Sequence, residues 1–96
     1  MSIIWSTDNT NDEPDAGILA FERTYKKEKV LVVINTSKTK SSTTSNEETV
    51  MKTGFAAGAK LKNVFPGSDG KIYTVDSDQT LELTLPKQSA MILVKN

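Results

Sequence analysis

Short apolar, β-branched and aromatic runs, separated by turn-forming residues, are the feature of this sequence that most restricts its fold. Eight such runs follow one another at spacings of about ten residues, which is typical of an all-β sandwich or barrel. They cover residues 2–6, 18–25, 30–35, 49–53, 61–65, 71–75, 80–85 and 89–94. Asp, Asn, Gly and Pro fill the segments between the runs, where turns are expected. The pattern predicts an all-β fold of about eight short antiparallel strands.

The size and charge of the chain limit the kinds of partner that it can have. Its 96 residues predict one domain over residues 1–96. Twelve basic and twelve acidic side chains give a formal net charge of zero, which argues against a nucleic-acid partner. No apolar run approaches the ~20 residues that span a bilayer, and the N-terminus lacks a signal-peptide pattern. We therefore expect neither a nucleic-acid nor a membrane partner.

Two residue types that carry much of enzyme chemistry are absent. The chain contains no cysteine, so it has no disulfide, no thiolate nucleophile and no sulfur-ligated zinc. It contains no histidine, which removes the usual general base at neutral pH and the commonest metal ligand. We expect no catalytic site, no metal and no cofactor.

Alternation within the runs predicts which side chains face the core. In residues 18–25, Leu19, Phe21, Arg23 and Tyr25 share one face, and Ile18, Ala20, Glu22 and Thr24 share the other. The leading core candidates are Phe21, Leu31, Val33, Leu83, Leu85, Ile92 and Val94. In residues 80–85, leucine alternates strictly with polar residues, so Leu81, Leu83 and Leu85 are expected to point inward.

Two runs are apolar on both faces and are expected to lie in the middle of a sheet. They are residues 30–35 (VLVVIN) and 90–94 (AMILV), which would invite aggregation at an exposed edge. A helix through residues 21–34 is the competing interpretation, but the β-branched residues at 30 and 32–34 favour a strand. Residues 37–45 (SKTKSSTTS) have nothing to bury and predict a loop or a weakly paired edge strand.

The polar segment 7–17 suggests a cation site or a plain loop. It contains Asp8, Asp12, Glu13 and Asp15, and calcium prefers carboxylate and carbonyl oxygens. The spacing does not fit the EF-hand loop, since the central glycine and the closing glutamate are out of register. A solvated loop is the favoured interpretation.

Glu22 and Arg23 are the charged pair inside the second run. They point to opposite faces of their strand, so they cannot pair with each other, and one of them must point toward the core or toward a neighbouring domain. A buried charge needs a partner because an unpaired one is costly. Cross-strand salt bridges at the rim of the sheet and an ion pair across a domain interface are the two main alternatives. General acid–base catalysis is the least favoured role.

Three aromatic residues could form a platform for a sugar. Trp5, Tyr25 and Tyr73 are the candidates, since the C–H face of a sugar packs on an aromatic ring while nearby polar groups bind its hydroxyls. The chain has only six aromatic residues, and a β-core of this size could absorb most of them. Packing in the core or at its rim is therefore the favoured role.

Three motifs in order resemble a known family. GILAFERTYKKEKVLVVINTS at 17–37 resembles the opening hairpin of the C-terminal domain, domain C, of α-amylase-family glycoside hydrolases. GFAAGAKLKNVFPG at 54–67 is similar to that family's glycine-bounded segment, and TLELTLPKQSAMILV at 80–94 to its closing strand pair. The resemblance extends over residues 5–94 and is weakest in the polar segment 38–48.

The resemblance implies a Greek-key β-sandwich packed behind a (β/α)₈ catalytic barrel. In that family the carboxylates that cleave the glycosidic bond belong to the barrel, so the chain is expected to be a non-catalytic accessory domain that stabilises or orients the barrel. Glu22 and Arg23 are then weak candidates for interdomain contacts. A carbohydrate-binding module for starch or glycogen, using Trp5, Tyr25 or Tyr73, is the alternative.

Two further expectations follow from the resemblance. Family members are commonly secreted by bacteria, so an extracellular location is expected, with the cytoplasm as the alternative. If the barrel belongs against this domain, one face of the sheet should expose an apolar patch larger than a few hundred Å².

Overall fold

The computed structural model confirms the predicted all-β class. It describes residues 2–6, 16–26, 28–46, 49–68 and 70–95. These residues form antiparallel strands, turns and loops, and none of them is helical. The described part of the chain therefore contains no helix that could cross a membrane.

A six-stranded antiparallel sheet is the main structural layer. Its strands, in spatial order, are β1 (Ser2–Ser6), β2 (Ile18–Tyr25), β3 (Glu28–Asn35), β10 (Ser89–Lys95), β7 (Lys60–Asn63) and β8 (Ile72–Thr74). The two strands that are apolar on both faces, β3 and β10, pair with each other at the centre, as the sequence predicts. β3 is paired on both sides, by β2 and β10, whereas β7 pairs with β10 only over residues 93–95.

Four two-residue strands belong to a second layer. β4 (Ser42–Thr43) pairs with β9 (Thr84–Leu85), β5 (Ser45–Asn46) pairs with β6 (Thr49–Val50), and Lys52 forms a single bridge with Thr80. The chain passes from β7 and β8 through β9 in the second layer, and then returns in β10 beside β7. This return beside the first strand of the run is the connection of a Greek key.

The hydrophobic core lies between the large sheet and the second layer. The sheet contributes alternate residues, among them Ile18 and Ala20 from β2 and Leu31 and Val33 from β3. The loops and short strands opposite contribute Met51, Phe55, Val75, Leu81, Leu83 and Leu85. The prediction that Leu81, Leu83 and Leu85 point inward is confirmed, as is the burial of Leu31 and Val33.

Three of the predicted core residues lie on the other face of the sheet. They are Phe21, Ile92 and Val94. Phe21 pairs with Val32, and Val32 pairs with Ile92, so these residues form one row across the sheet. Phe21, Val32 and Ile92 are each half-buried. Val94 is half-buried on the same face. In a strand that is apolar on both faces, hydrophobicity does not show whether the odd-numbered or the even-numbered residues point to the core. Choosing the wrong set assigns every side chain of the strand to the wrong face. Ile18, Ala20, Met91 and Leu93 occupy the core positions instead.

Side chains also shorten two of the predicted strands. In the leucine-rich run 80–85 only β9 is a strand, because the Thr44 hydroxyl accepts the Leu83 N–H at 2.8 Å and donates to the Leu81 carbonyl at 2.9 Å. β7 ends at Asn63, whose Oδ1 accepts the Phe65 N–H at 3.1 Å and turns the chain.

Candidate functional site

Glu22 is the buried member of the predicted charged pair. It lies in β2 beside Ala20 on the core face, and only 8% of it is exposed. Its Oε2 accepts the backbone N–H of Gly54 at 2.6 Å. The buried charge is therefore compensated by a backbone donor of the glycine-bounded loop.

Lys29 binds the other polar group of the same glycine. Its Nζ donates to the Gly54 carbonyl at 3.0 Å and lies 5.8 Å from the centroid of the Phe55 ring. A Cβ atom built on Gly54 would lie 2.6 Å from Glu22 Oε1 and 2.6 Å from Lys29 Nζ. The absence of a side chain at position 54 therefore lets both charged groups approach the loop backbone, which they fix against the hairpin of β2 and β3.

Arg23 lies on the opposite face of β2 and is exposed. It pairs with Val30, and the two belong to what we call the outer face of the sheet, the face that points away from the core. Cross-strand pairing and alternation place these apolar residues on the outer face: Ile3, Leu19, Phe21, Val30, Val32, Ile34, Val64, Ile72, Ala90, Ile92 and Val94.

The outer face is mainly apolar, although Lys62 lies between Val94 and Ile72 on it. One row across the sheet runs from Ile3 through Phe21 and Val32 to Ile92. Ile3 is 59% exposed, and Val64 and Ile72 are each 45% exposed. Large apolar surfaces of this kind mark sites of interaction with another protein surface.

Charged residues border the outer face at one end. Arg23, Lys60 and Lys62 supply three cations there, and Glu28 supplies one carboxylate. All four residues are exposed. A partner that covers the apolar centre would therefore meet a mainly cationic border, which favours acidic groups on the partner's rim.

The structure does not bring the predicted sugar platform together. Trp5 and Tyr73 are both half-buried and pack against the core, and Lys71 Nζ lies 5.4 Å from the centroid of the Tyr73 ring. They belong to β1 and β8, the two edges of the sheet, which are separated by five interstrand spacings, or roughly 24 Å. For Tyr25 the structure describes only the backbone, at the end of β2.

The possible cation site in segment 7–17 rests on four acidic residues. Asp8, Asp12, Glu13 and Asp15 lie outside the described residues. Within the ranges that are described, no three acidic side chains come together in a way that could hold a metal ion.

Sequence reasoning missed the partner of Glu22. The sequence predicts only a turn between the runs 49–53 and 61–65. The role of this segment in binding Glu22 depends on a contact between residues 32 positions apart. The available signal was a buried acid on a strand followed by a glycine-bounded loop with free backbone donors. That signal becomes specific only when the strand and the loop are placed together.

Comparison with known proteins finds one family and one solved structure. The family model described as maltogenic amylase, C-terminal domain, matches residues 10–92. The crystal structure of an Anoxybacillus alpha-amylase, presented as representing a new glycosyl hydrolase subclass, is similar with a TM-score of 0.61 and 23% sequence identity. The similarity covers 82% of this chain but 15% of that chain, and at this identity it supports the fold alone. No curated protein matches the chain.

Proposed function

The chain belongs to the family of maltogenic amylase C-terminal domains, and we propose that it is an accessory domain that stabilises or orients the catalytic barrel of an α-glucan-active enzyme. The outer face of the sheet is the surface through which it does so. The chemistry of the parent enzyme, glycoside hydrolysis or transfer, belongs to the barrel, and the carboxylates of this chain take no part in it.

The apolar outer face is the observation that carries the proposal. Its central strands β3 and β10 bury one set of side chains in the core and present Val32 and Ile92 on the other side. A strand pair that is apolar on both faces is typical of a sheet covered by structure on both sides. The second layer covers one side, and the barrel is the partner that we assign to the other.

Arg23 and Glu22 have different roles in this proposal. Arg23 is exposed at the border of the outer face and is positioned to meet an acidic group of the barrel. Glu22 is occupied by the Gly54 N–H on the core side, so it supports the hairpin from within. Of the two predicted interdomain contacts, we therefore retain Arg23.

No observation favours Trp5, Tyr25 and Tyr73 as a shared platform for starch or glycogen. Trp5 and Tyr73 pack against the core at opposite edges of the sheet. A single oligosaccharide could not use both rings as one stacking platform.

The experiment introduces charge at the centre of the outer face. The double variant Val32→Lys and Ile92→Lys is made in the full-length enzyme that carries this domain and, separately, in the 96-residue chain. Burying two lysines against the barrel is unfavourable, whereas the lysines remain solvated in the isolated chain. Because the two lysines lie opposite each other on β3 and β10, the isolated chain should lose a little stability. We expect the thermal midpoint of the enzyme to fall by several degrees more than that of the isolated chain.

The matched control is Thr84→Lys combined with Thr49→Lys, which adds the same two charges at exposed positions of the second layer. It should leave the midpoint of the full-length enzyme unchanged. Equal midpoints for the double variant and the control in the full-length enzyme would show that the barrel does not rest on the outer face.

A further inference from the structure

A cleft at one end of the large sheet lies away from the Glu22 site, and its wall includes Ile34 and Ala90 at the margin of the outer face. It has a volume of about 810 Å³ and lies between the start of β10 and the turn that follows β7. β7 pairs only with residues 93–95 of β10, so the first residues of β10 face this space.

Asn63 supplies a buried polar group to the cleft. Only 8% of it is exposed, and its Oδ1 accepts the N–H groups of Phe65 at 3.1 Å and Ile92 at 3.3 Å. These two bonds orient the amide and leave its Nδ2 group as the free end. Within the described residues, Nδ2 meets no acceptor. A fixed amide donor of this kind suits a hydroxyl or carbonyl oxygen of a ligand.

An aromatic ring is exposed in the wall of the same cleft. Phe65 follows β7 and is 38% exposed, although apolar residues of its size are usually buried. Pro66 and Pro86 extend the apolar wall, and Tyr73 contributes at the far side. An aromatic surface beside polar groups suits a ligand with an apolar face and a polar edge.

The opposite wall presents polar groups at the turn before β10. Gln88 is exposed with φ of 50°, a left-handed conformation that is uncommon for a residue other than glycine. The Ser89 hydroxyl donates to the Pro86 carbonyl at 2.6 Å, so its lone pairs remain available to accept. Since Ile92 bonds to Val64 on the β7 side, alternation directs the Ala90 N–H and C=O to that side, which is the cleft.

The described lining of the cleft contains no charged residue. Its fourteen residues are apolar, hydroxyl-bearing, amide-bearing or glycine, although a quarter of the whole chain is charged. Just outside the lining, Lys71 Nζ lies 5.4 Å from the centroid of the Tyr73 ring and places a cation beside that wall. The geometry fits a neutral ligand with many hydroxyls and an apolar ring face.

We propose that this cleft is an α-glucan-binding site, in which Phe65 stacks on a glucose ring and Asn63, Gln88 and the Ala90 backbone bind its hydroxyls. The choice of α-glucan among neutral sugars rests on the function proposed above. The site differs from the predicted platform because Trp5 does not belong to it and Tyr73 is only part of its wall. It would hold a glucan chain on the accessory domain while the barrel acts elsewhere on the polymer.

The test is a titration of the 96-residue chain with maltoheptaose, followed by amide chemical shifts, with cellohexaose as the comparison sugar. We expect saturable shifts at residues 63–68 and 86–91 with maltoheptaose and much weaker ones with cellohexaose. Phe65→Ala should weaken binding about tenfold through loss of stacking. Gln88→Gly should also weaken it, and this variant suits the left-handed backbone, so the fold is retained.

Two control variants match these changes outside the cleft. Val64→Ala shortens the neighbouring exposed residue, and Lys26→Gly replaces another residue with positive φ, 59°, in the hairpin turn. Both should bind maltoheptaose as tightly as the unaltered chain.

Absence of saturable shifts, or shifts that Phe65→Ala and Gln88→Gly leave unchanged, would overturn the site. Equal binding of cellohexaose would overturn its assignment to α-glucan. The docking experiment reads the thermal midpoint of the full-length enzyme, so failure of the docking proposal would leave the outcome of this titration unchanged.

Discussion

At the scale of single residues, the buried carboxylate of Glu22 and its backbone partner are expected to affect the stability of the domain. Glu22 lies among apolar core residues, and its Oε2 accepts the Gly54 N–H at 2.6 Å. Such a bond to a charged acceptor contributes about 1.5–3 kcal/mol, but the burial of the charge opposes it. Whether a Glu22 variant gains or loses free energy of unfolding therefore depends on the side chain that replaces the carboxylate.

Truncation of this side chain should destabilise the domain. Glu22→Ala removes the acceptor and the aliphatic part of the side chain, so we expect a loss of about 1–3 kcal/mol in the free energy of unfolding. Glu22→Gln keeps an acceptor oxygen without the charge and should cost less than half as much. Urea unfolding of the 96-residue chain measures both, and Glu82→Ala at an exposed position is the control. A Glu22→Ala variant as stable as this control would show that burial of the charge outweighs the bond.

Asp78 provides a prediction about pH. The Thr80 hydroxyl donates to its Oδ1, and this bond holds the pKa of the Asp78 carboxyl below its ordinary value. Because the folded-state pKa is lowered, the stabilisation is present above the ordinary pKa of about 3.9 and is lost as pH falls through the folded-state value. Thr80→Val removes the hydroxyl, so the pKa should rise.

An NMR titration of the side-chain carboxyl carbon checks this expectation. The backbone N–H of Thr80 also donates to Asp78 Oδ1, at 3.4 Å, so the pKa should move only part of the way to its ordinary value. Thr84→Val, at an exposed threonine of β9, should leave the pKa of Asp78 where it is. An unaltered Asp78 pKa in Thr80→Val would contradict the assigned cause.

At the scale of single elements, β3 offers a comparison between its two faces. Val32 and Val33 are neighbours of the same type, but Val33 is fully buried in the core and Val32 is half-buried on the outer face. Valine and threonine have similar shapes, so Val→Thr mainly adds a hydroxyl. A hydroxyl buried without a partner costs about 1–3 kcal/mol, whereas a substitution at the surface costs within about 0.5 kcal/mol.

We therefore expect Val33→Thr to lower the free energy of unfolding of the isolated chain substantially and Val32→Thr to leave it nearly unchanged. Urea unfolding of the two variants under one set of conditions gives the comparison. Equal losses at both positions would mean that the isolated chain covers its outer face as well as its core, which would remove the basis for docking.

The strands themselves could be predicted because their signals are local. Turn formers bound most of the runs, a charged tip at 26–29 separates β2 from β3, and the β-branched residues in 30–35 favour the observed strand over the competing helix. The facing of the strands could not be predicted, because a strand such as β3 is apolar on both sides. The same ambiguity explains why the prediction that Phe21, Ile92 and Val94 lie in the core is wrong. The leucines of 80–85 alternate with polar residues, and the prediction that they point inward is confirmed.

The candidate sites were less predictable than the strands, because they combine distant segments. The split of Glu22 and Arg23 between two faces follows from alternation within one strand and was predicted. The contact of Glu22 with Gly54 crosses 32 positions. The cleft joins the turn after β7 with the turn before β10, and no periodicity in either segment reports that they meet.

At the scale of the whole molecule, the apolar outer face of the large sheet should make the isolated chain self-associate. Without a barrel, the outer face exposes Ile3, Val64, Ile72 and its half-buried centre to water. Covering this face with that of a second copy would remove apolar surface from water, and a two-fold axis allows the same patch to serve both copies. With a two-fold axis parallel to the strands, the cationic border formed by Arg23, Lys60 and Lys62 would, however, lie close to the same border of the second copy.

Because like charges across an interface repel, this border should weaken the self-contact at low ionic strength, and added salt should screen the repulsion. Sedimentation equilibrium of the 96-residue chain should therefore show a reversible monomer–dimer exchange whose dissociation constant falls as salt increases. The double variant Val32→Lys and Ile92→Lys should remain monomeric at every salt concentration, and Thr84→Lys should behave as the unaltered chain. A chain that stays monomeric at high protein and salt concentrations would show that the outer face does not self-associate and would contradict this prediction.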